Sequence, residues 1–322
     1  MAHILQATPA NLDKLATALS EGDVVAVPTE TVYGLAGNAL DPSAIAKIYE
    51  AKNRPSRNPL IVHIGHLEQL KDIAEASKEA EALAETFWPG PLTMILPKKP
   101  VVPDRVTAGL DTVAVRMPSH PVFRELAERC SFPLAAPSAN PFGYVSPTKA
   151  QHVQEQMKER IQWVLDGGAC NRGIESTILS LANPDEPVLL RHGSISAEQL
   201  SEALDKPVST PDTLAADQVQ SLPSPGLMKR HYSPHTPVQL FEGREPENDA
   251  HSAVVFLTAD SCSKPNHFAL SQEGDLEEVA RNLYHLLQEL DQQGFKAIIL
   301  ELPENNGTGT AIRDRMHRAA AQ

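Results

Sequence analysis

Residues 24–64, VVAVPTETVYGLAGNALDPSAIAKIYEAKNRPSRNPLIVHI, decide how the chain folds. Val24 to Val27 is a short β-branched run of the kind that forms a buried strand. Pro28 ends it, and Thr29, Glu30 and Thr31 set polar side chains at its carboxyl end. Asp41 then caps a helix with Pro42 at its first position, and Ile45, Ile48 and Tyr49 share one face of it. A basic loop follows, with Lys52, Arg54 and Arg57 broken by Pro55 and Pro59, ahead of the apolar strand Leu60 to Ile64. Strand, helix, strand predicts a crossover unit, and open α/β sheets bind ligands beyond the carboxyl ends of their strands. The hydroxyl-rich loop and the basic loop then meet over one pocket. Clustered lysine and arginine there suit a polyanion, phosphate above all. As an isolated pattern, three cations in a loop read as a solvated turn.

Downstream, residues 67–86 form an Ala/Glu-rich helix, and 92–96 and 112–117 are strands. Arg116 lies in the second of these, opposite Val113 and Val115 by alternation. An arginine inside an apolar strand is either one half of a structural salt bridge or a bidentate clamp on a substrate carboxylate. Residues 120–129 are helical, 134–136 form a brief strand, and Ser138-Ala139-Asn140 turns the chain. Ser146, Pro147 and Thr148 open the next helix, so Ser146 is a cap or a ligand donor. Strands follow at 161–165, 178–181 and 188–191, and a capped helix at 196–204. A helix at 10–22 precedes the central unit.

Residues 205–238 shift to a proline-rich composition that marks a linker. Its middle, SPGLMKRHYSP at 224–234, carries too much chemistry for an idle tether. In 239–322, a strand at 253–257, a helix with leucines and a valine at helical spacing from Leu276 to Leu290, and a strand at 295–300 predict a Rossmann-like crossover. Asn306-Gly307-Thr308-Gly309-Thr310 is a weak dinucleotide signal, since the third glycine is missing.

At 322 residues the chain has room for two domains. MAHILQATPA lacks a basic segment followed by an apolar one, so no signal peptide is expected. No apolar run approaches the roughly 20 residues that span a bilayer. Cys130, Cys170 and Cys262 show neither a disulfide framework nor zinc spacing, and a reducing, cytoplasmic location is expected. The net charge of −13 argues against broad nucleic-acid binding. Residues 239–322 carry 14 acidic against 7 basic residues, so about half the excess lies there. A local basic cleft upstream remains open. There is no phosphate-loop motif, no nucleophile elbow and no closely spaced metal-ligating cluster. Cations, hydroxyls and amides remain, and they suit a reaction run by positioning and charge stabilisation, as phosphoryl and nucleotidyl transfers are.

PTETVYGLAGNA at 28–39, K-x-R-P…NPL at 52–60, APSAN at 136–140, DGG…GIESTIL at 166–179 and SPGLMKRHYSP at 224–234 occur in one order. Together they resemble the YrdC/Sua5 family of threonylcarbamoyl-AMP synthases, in its longer two-domain form. The resemblance implies an α/β fold, with a twisted open mixed sheet and flanking helices plus a smaller Rossmann-like C-terminal domain. It divides the chain into a catalytic domain (1–205), a linker folded as a strap over the site (206–238) and the C-terminal domain (239–322). The implied reaction joins L-threonine, bicarbonate and ATP into threonylcarbamoyl-adenylate and pyrophosphate, for the threonylcarbamoyl modification of tRNA adenosine. Lys52, Arg54, Ser138 and Asn140 are expected at the phosphates, with Asn58, Ser146, Arg191 and Tyr232 also at the nucleotide. Thr31, His63, Arg116 and Ser176 match the threonine site. His63, in an apolar strand, reads without the family as a satisfied core histidine. Mg²⁺ is expected with ATP, held mainly by phosphates rather than by a protein cage. A monomer is expected, with no stable nucleic-acid complex, no membrane, and downstream tRNA threonylcarbamoyl-transfer proteins as partners. Asn53 stands in the middle of K-x-R, where many relatives have glycine. Two rivals are an RNA-binding module and a carbamoyltransferase of the hydrogenase-maturation type. The acidic balance weighs against the first, and the lack of a CxxC pair against the second.

Overall fold

The computed structural model describes residues 1–210, 231–245, 247 and 249–321. The strands are β1 (His3–Gln6), β2 (Val25–Val27), β3 (Gly34–Asn38), β4 (Ile61–His63), β5 (Leu92–Pro97), β6 (Thr112–Arg116), β7 (Leu134–Ala135), β8 (Trp163–Asp166), β9 (Thr177–Ser180), β10 (Val188–Arg191), β11 (Val238–Phe241), β12 (Ser252–Thr258), β13 (His267–Ser271) and β14 (Ala297–Glu301). The helices are α1 (Pro9–Ser20), α2 (Pro42–Lys52), α3 (Glu68–Ile73), α4 (Lys78–Phe87), α5 (Asp104–Thr107), α6 (Pro121–Glu128), α7 (Ala150–Met157), α8 (Ala197–Leu204), α9 (Leu276–Asp291) and α10 (Gly307–Ala320). Ten strands form one mixed sheet, ordered β1-β8-β2-β3-β7-β4-β6-β5-β9-β10, and four form a second, ordered β11-β14-β12-β13. The expected mixed sheet with a smaller α/β domain is therefore present.

The crossover expected in residues 24–64 does not form. β3, hidden in the glycine-containing GLAGN, turns back antiparallel beside β2, β7 pairs antiparallel with β3, and β4 pairs antiparallel with β7. β2 and β4 thus run in opposite senses with two strands between them. This reversal brings the two loops together. The carboxyl end of β2 and the amino end of β4 lie at one end of the sheet, so Thr29–Thr31 and the basic loop before β4 converge. Gly37 in β3 faces α2 so closely that an added Cβ would lie 3.2 Å from Ile48 Cδ1.

Asp41 caps α2 by accepting from the Ser43 N–H, with Pro42 in the first turn, as expected. The helix ends on Asn53 in the left-handed region, φ +50°. Asparagine is among the few residues other than glycine that visit this region readily, so the loop keeps its shape with asparagine in the middle of K-x-R. Leu12, Leu15, Leu19, Phe123 and Leu126 pack α1 and α6 on one face of the large sheet. Ile45 and Ile48 of α2, Leu83 of α4 and Leu200 of α8 pack with the larger core.

Several elements differ from the sequence reading. Residues 67–86 are two helices, split where Ala74 bridges Lys98. Ser146 neither caps nor opens a helix. The N-cap of α7 is Lys149, and no side chain bonds there. The smaller sheet is parallel throughout, with β13 leading through α9 to β14. β11 and β13 were not anticipated. The Gly-x-Gly segment opens α10, and a Cβ on Gly309 would sit 2.1 Å from the Glu304 carbonyl oxygen. That glycine answers a packing demand and not a phosphate. Among the described residues no helix is long and apolar enough to cross a membrane.

Candidate active site

A narrow cavity opens where the β2–β3 loop, the basic loop, the loop after β7 and the segment before β9 meet. Eight of the twelve residues expected at the site line it: Thr31, Arg54, His63, Arg116, Ser138, Ser176, Arg191 and Tyr232. Lys52, Asn58, Asn140 and Ser146 stand behind that lining. They are buried, and each is placed by identifiable contacts.

At the basic end, Arg54 Nε donates to Asn58 O at 3.2 Å and Nη2 to Pro59 O at 2.8 Å, which fixes the plane of the guanidinium. Burial lowers its pKa to about 10, still cationic at neutral pH. Lys52 donates to the carbonyls of Ser138 and Asn140, and its own carbonyl accepts from the Phe142 N–H at 2.8 Å. The ammonium therefore ties the basic loop to the Ser-x-Asn loop. Burial, then repulsion from Arg54, pushes its pKa well below the ordinary lysine value. An anion in the cavity favours its protonated form. Both amide atoms of Asn58, Asn140 Oδ1 and Tyr232 Oη are buried without a hydrogen-bond partner. Buried polar atoms are seldom left so in a finished structure, and three such side chains, Tyr232 on the cavity wall and the two asparagines behind it, point to a polar ligand.

At the other end, the parallel register of β4 and β6 sets His63 beside Arg116. Arg116 Nε donates to Gly90 O at 3.1 Å, Nη1 to Thr31 Oγ1 at 2.9 Å, and Nη2 pairs with Glu30 Oε1 at 2.7 Å. The structural salt bridge is real. A guanidinium has five N–H donors; two are hydrogen-bonded, to Gly90 O and Thr31 Oγ1, and the contact with Glu30 is an ion pair outside hydrogen-bond geometry. Ser176 Oγ meets Thr93 Oγ1 at 2.8 Å and accepts from Arg191 Nη2 at 3.0 Å. His63 is not a satisfied core histidine, since its Nδ1 has no partner. Burial and Arg116 lower its pKa to about 3. Burial likewise lowers His231, also on the cavity wall, to about 3.

These two histidines predict acid lability. Each binds a proton near pH 6.5 when unfolded and near 3 when folded, so the unfolded chain takes up more protons between those values. Stability is complete above about pH 6.5 and falls on acidification. At about pH 4.5 each histidine costs roughly 2–3 kcal/mol. Melting temperatures across that range should fall steeply in the wild type and less steeply in His63→Gln. Equal slopes would refute the assignment.

Glu175 was missed. It lines the cavity and accepts from Ser146 Oγ at 2.7 Å, so Ser146 serves the carboxylate. Its other partners, Tyr284 and Arg315, come from the C-terminal domain, more than a hundred residues away. No local pattern announces such a pairing. Of the linker motif, His231 and Tyr232 line the cavity, while residues 224–230, Arg230 among them, lie outside the described residues.

Two family models match the chain. That for Sua5, YciO and YrdC proteins, described as "Telomere recombination", covers residues 17–193. One described as "Threonylcarbamoyl-AMP synthase, C-terminal domain" covers 195–321. The chain belongs to the Sua5/YrdC family. This Sua5-family chain is 44% identical over 320 residues to the threonylcarbamoyl-AMP synthase of Bacillus subtilis, covering 95% of this chain and 91% of that one. It is 41% identical over 315 residues to that of Pyrococcus abyssi, covering 94% and 92%. The crystal structure of P. abyssi Sua5 complexed with L-threonine superposes with a TM-score of 0.90 at 38% identity, covering 99% of this chain and 98% of that one.

Proposed function

We propose that the chain is a threonylcarbamoyl-AMP synthase, converting L-threonine, bicarbonate and ATP into threonylcarbamoyl-adenylate and pyrophosphate. The observation that carries this reading is the cavity itself, with Arg54 and Ser138 at one end and Arg116, Thr31, His63 and Ser176 at the other. The polyphosphate lies against Arg54, with Lys52, Ser138 and Asn140 completing that end; Asn58, Arg191 and Tyr232 serve the nucleotide, and Ser146 does so through Glu175. The remaining donors of Arg116 take the threonine carboxylate, and Thr31, His63 and Ser176 surround the rest of the amino acid.

The amine of threonine, once deprotonated, attacks the bicarbonate carbon and expels water, giving a carbamate. A carbamate oxygen then attacks the α-phosphorus of ATP, and pyrophosphate leaves with the electron pair of the broken P–O bond. No enzyme nucleophile is needed. The chain supplies alignment and offsets the charge that gathers on the transferring phosphoryl group. Glu30 and Glu175, the carboxylates nearest the substrates, are each ion-paired with an arginine. Mg²⁺ would accordingly enter with ATP, held by phosphate oxygens and water.

Residues 1–205 act as the catalytic domain and 239–322 as the C-terminal domain; of the linker between them, His231 and Tyr232 help keep water from a labile mixed anhydride. The enzyme works as a cytoplasmic monomer and hands its product to proteins that modify tRNA. Pyrophosphate release from Mg·ATP, with threonine and bicarbonate omitted in turn, tests the reaction. Release requiring both is expected, and release indifferent to either would overturn the reading.

A further inference from the structure

Glu175 stands on the wall of a cavity otherwise furnished with cations, and a bare carboxylate there would repel the phosphates of a nucleotide. It is not bare. Arg315, from α10 and wholly buried, places Nε 3.0 Å from Glu175 Oε2. Tyr284, from α9 and equally buried, donates to the same oxygen at 2.9 Å. Arg315 is itself held, by His192 O at 2.8 Å and Asp314 Oδ2 at 2.8 Å. Its Cζ lies 5.6 Å from the Tyr232 ring centroid, and the Tyr284 ring stacks on Tyr232 at 5.5 Å. Both side chains belong to the domain built on the smaller sheet, yet both converge on two residues of the cavity wall.

We infer that Arg315 and Tyr284 are positioning residues for the nucleotide site: they cancel the charge of Glu175, fix its carboxylate away from the phosphates and brace the Tyr232 ring. The C-terminal domain is then a working part of the site, and the site is incomplete until that domain docks. Burial alone raises the Glu175 pKa, and Arg315 and Arg191 outweigh it and hold the carboxyl below its ordinary value. A pair that merely glued two domains together could be exchanged for apolar side chains at little cost. Here, the charge on Glu175 matters to the ligand.

The inference rests on the ATP reading above, and its test is ATP binding, measured by calorimetry on the full chain. Arg315→Met should weaken ATP affinity about 100-fold, because it strands a buried carboxylate beside the phosphates. Glu175→Gln with Arg315→Met should recover affinity to within about tenfold of wild type. Arg315→Met alone should regain affinity relative to wild type on acidification, as Glu175 takes up a proton. The other groups facing Glu175 are Arg191, His231, Tyr232 and Tyr284; burial holds His231 below its ordinary value and both tyrosines above theirs, so none of them changes charge near neutrality. Should Arg315→Met fail to fold, Tyr284→Phe decides, since it removes a single hydrogen bond to an ionised group and should weaken ATP about fivefold. Wild-type affinity in Arg315→Met or in Tyr284→Phe, or a double variant no better than the single one, overturns the inference. Wild type that binds ATP without releasing pyrophosphate overturns the proposed reaction and leaves this comparison intact. Wild type that binds no ATP overturns both.

Discussion

Arg54→Ala should lower kcat/KM for ATP by about 10³-fold, the loss expected when a preorganised cation is removed from developing phosphoryl charge. Arg54 is oriented before substrate arrives. Two of its donors are spent on the carbonyls of Asn58 and Pro59, and the left-handed turn at Asn53 fixes where the side chain leaves the backbone. Little reorganisation then remains to be done at the moment of reaction. The remaining donors face a buried cavity, where a charge is screened far less than at the surface. Arg54→Lys should recover little, because a single ammonium cannot satisfy both carbonyls and the phosphates together. Pyrophosphate release, read beside the melting temperature, separates the two possible roles. If Arg54 only braces its loop, the melting temperature falls and activity in the folded fraction stays within about tenfold of wild type, outside the range seen for charge-stabilising donors.

The difference between what the chain announces and what it conceals is physical. The basic loop, the Ser-x-Asn turn and the capped helix between Asp41 and Asn53 are local, and local chemistry is written in adjacent residues. β3 escaped because GLAGN has the composition of a turn, although all but its last residue are buried. Gly37 is there for the close approach of α2 and Gly34 for that of Ala136, demands that only the packed structure reveals. The sense of β4 escaped for a related reason. A helix between two strands usually signals a parallel crossover, and only the insertion of β3 and β7 reverses it. The convergence of the two loops was foreseen correctly from an incorrect topology.

Glu175 and Arg315 were illegible for another reason. Each sits in an ordinary local context, GIEST and RDRMHR, and their meaning comes from a contact across 140 positions. A lone glutamate between a glycine-bearing turn and a strand carries no signal of ionic burial. Glu30 differs in degree, since it lies between two threonines already marked for the site. Even so, its pairing with Arg116 becomes visible only once β6 is placed two strands from β7, through β4.

That pairing frames the second large effect. Arg116→Met strands Glu30 as an unpaired buried charge, and breaking a buried pair in this way costs about 3–5 kcal/mol. The variant should therefore melt well below wild type. It should also need about 100-fold more threonine, because an arginine fork bound to a carboxylate contributes some 2–3 kcal/mol. These two losses have different causes and can be separated. Glu30→Gln combined with Arg116→Met leaves no charge stranded, so the melting temperature should return most of the way to wild type. The threonine KM should stay high, because nothing in the double variant replaces the unused donors of the guanidinium. Melting curves and threonine-dependent pyrophosphate release on the same four proteins, wild type, both single variants and the double, decide the matter. If the double variant regains both stability and threonine affinity, Arg116 is only the partner of Glu30, and the substrate carboxylate is held elsewhere. If it regains stability alone, one guanidinium serves both the fold and the substrate, and its bond to Glu30 is what holds it in place to do so.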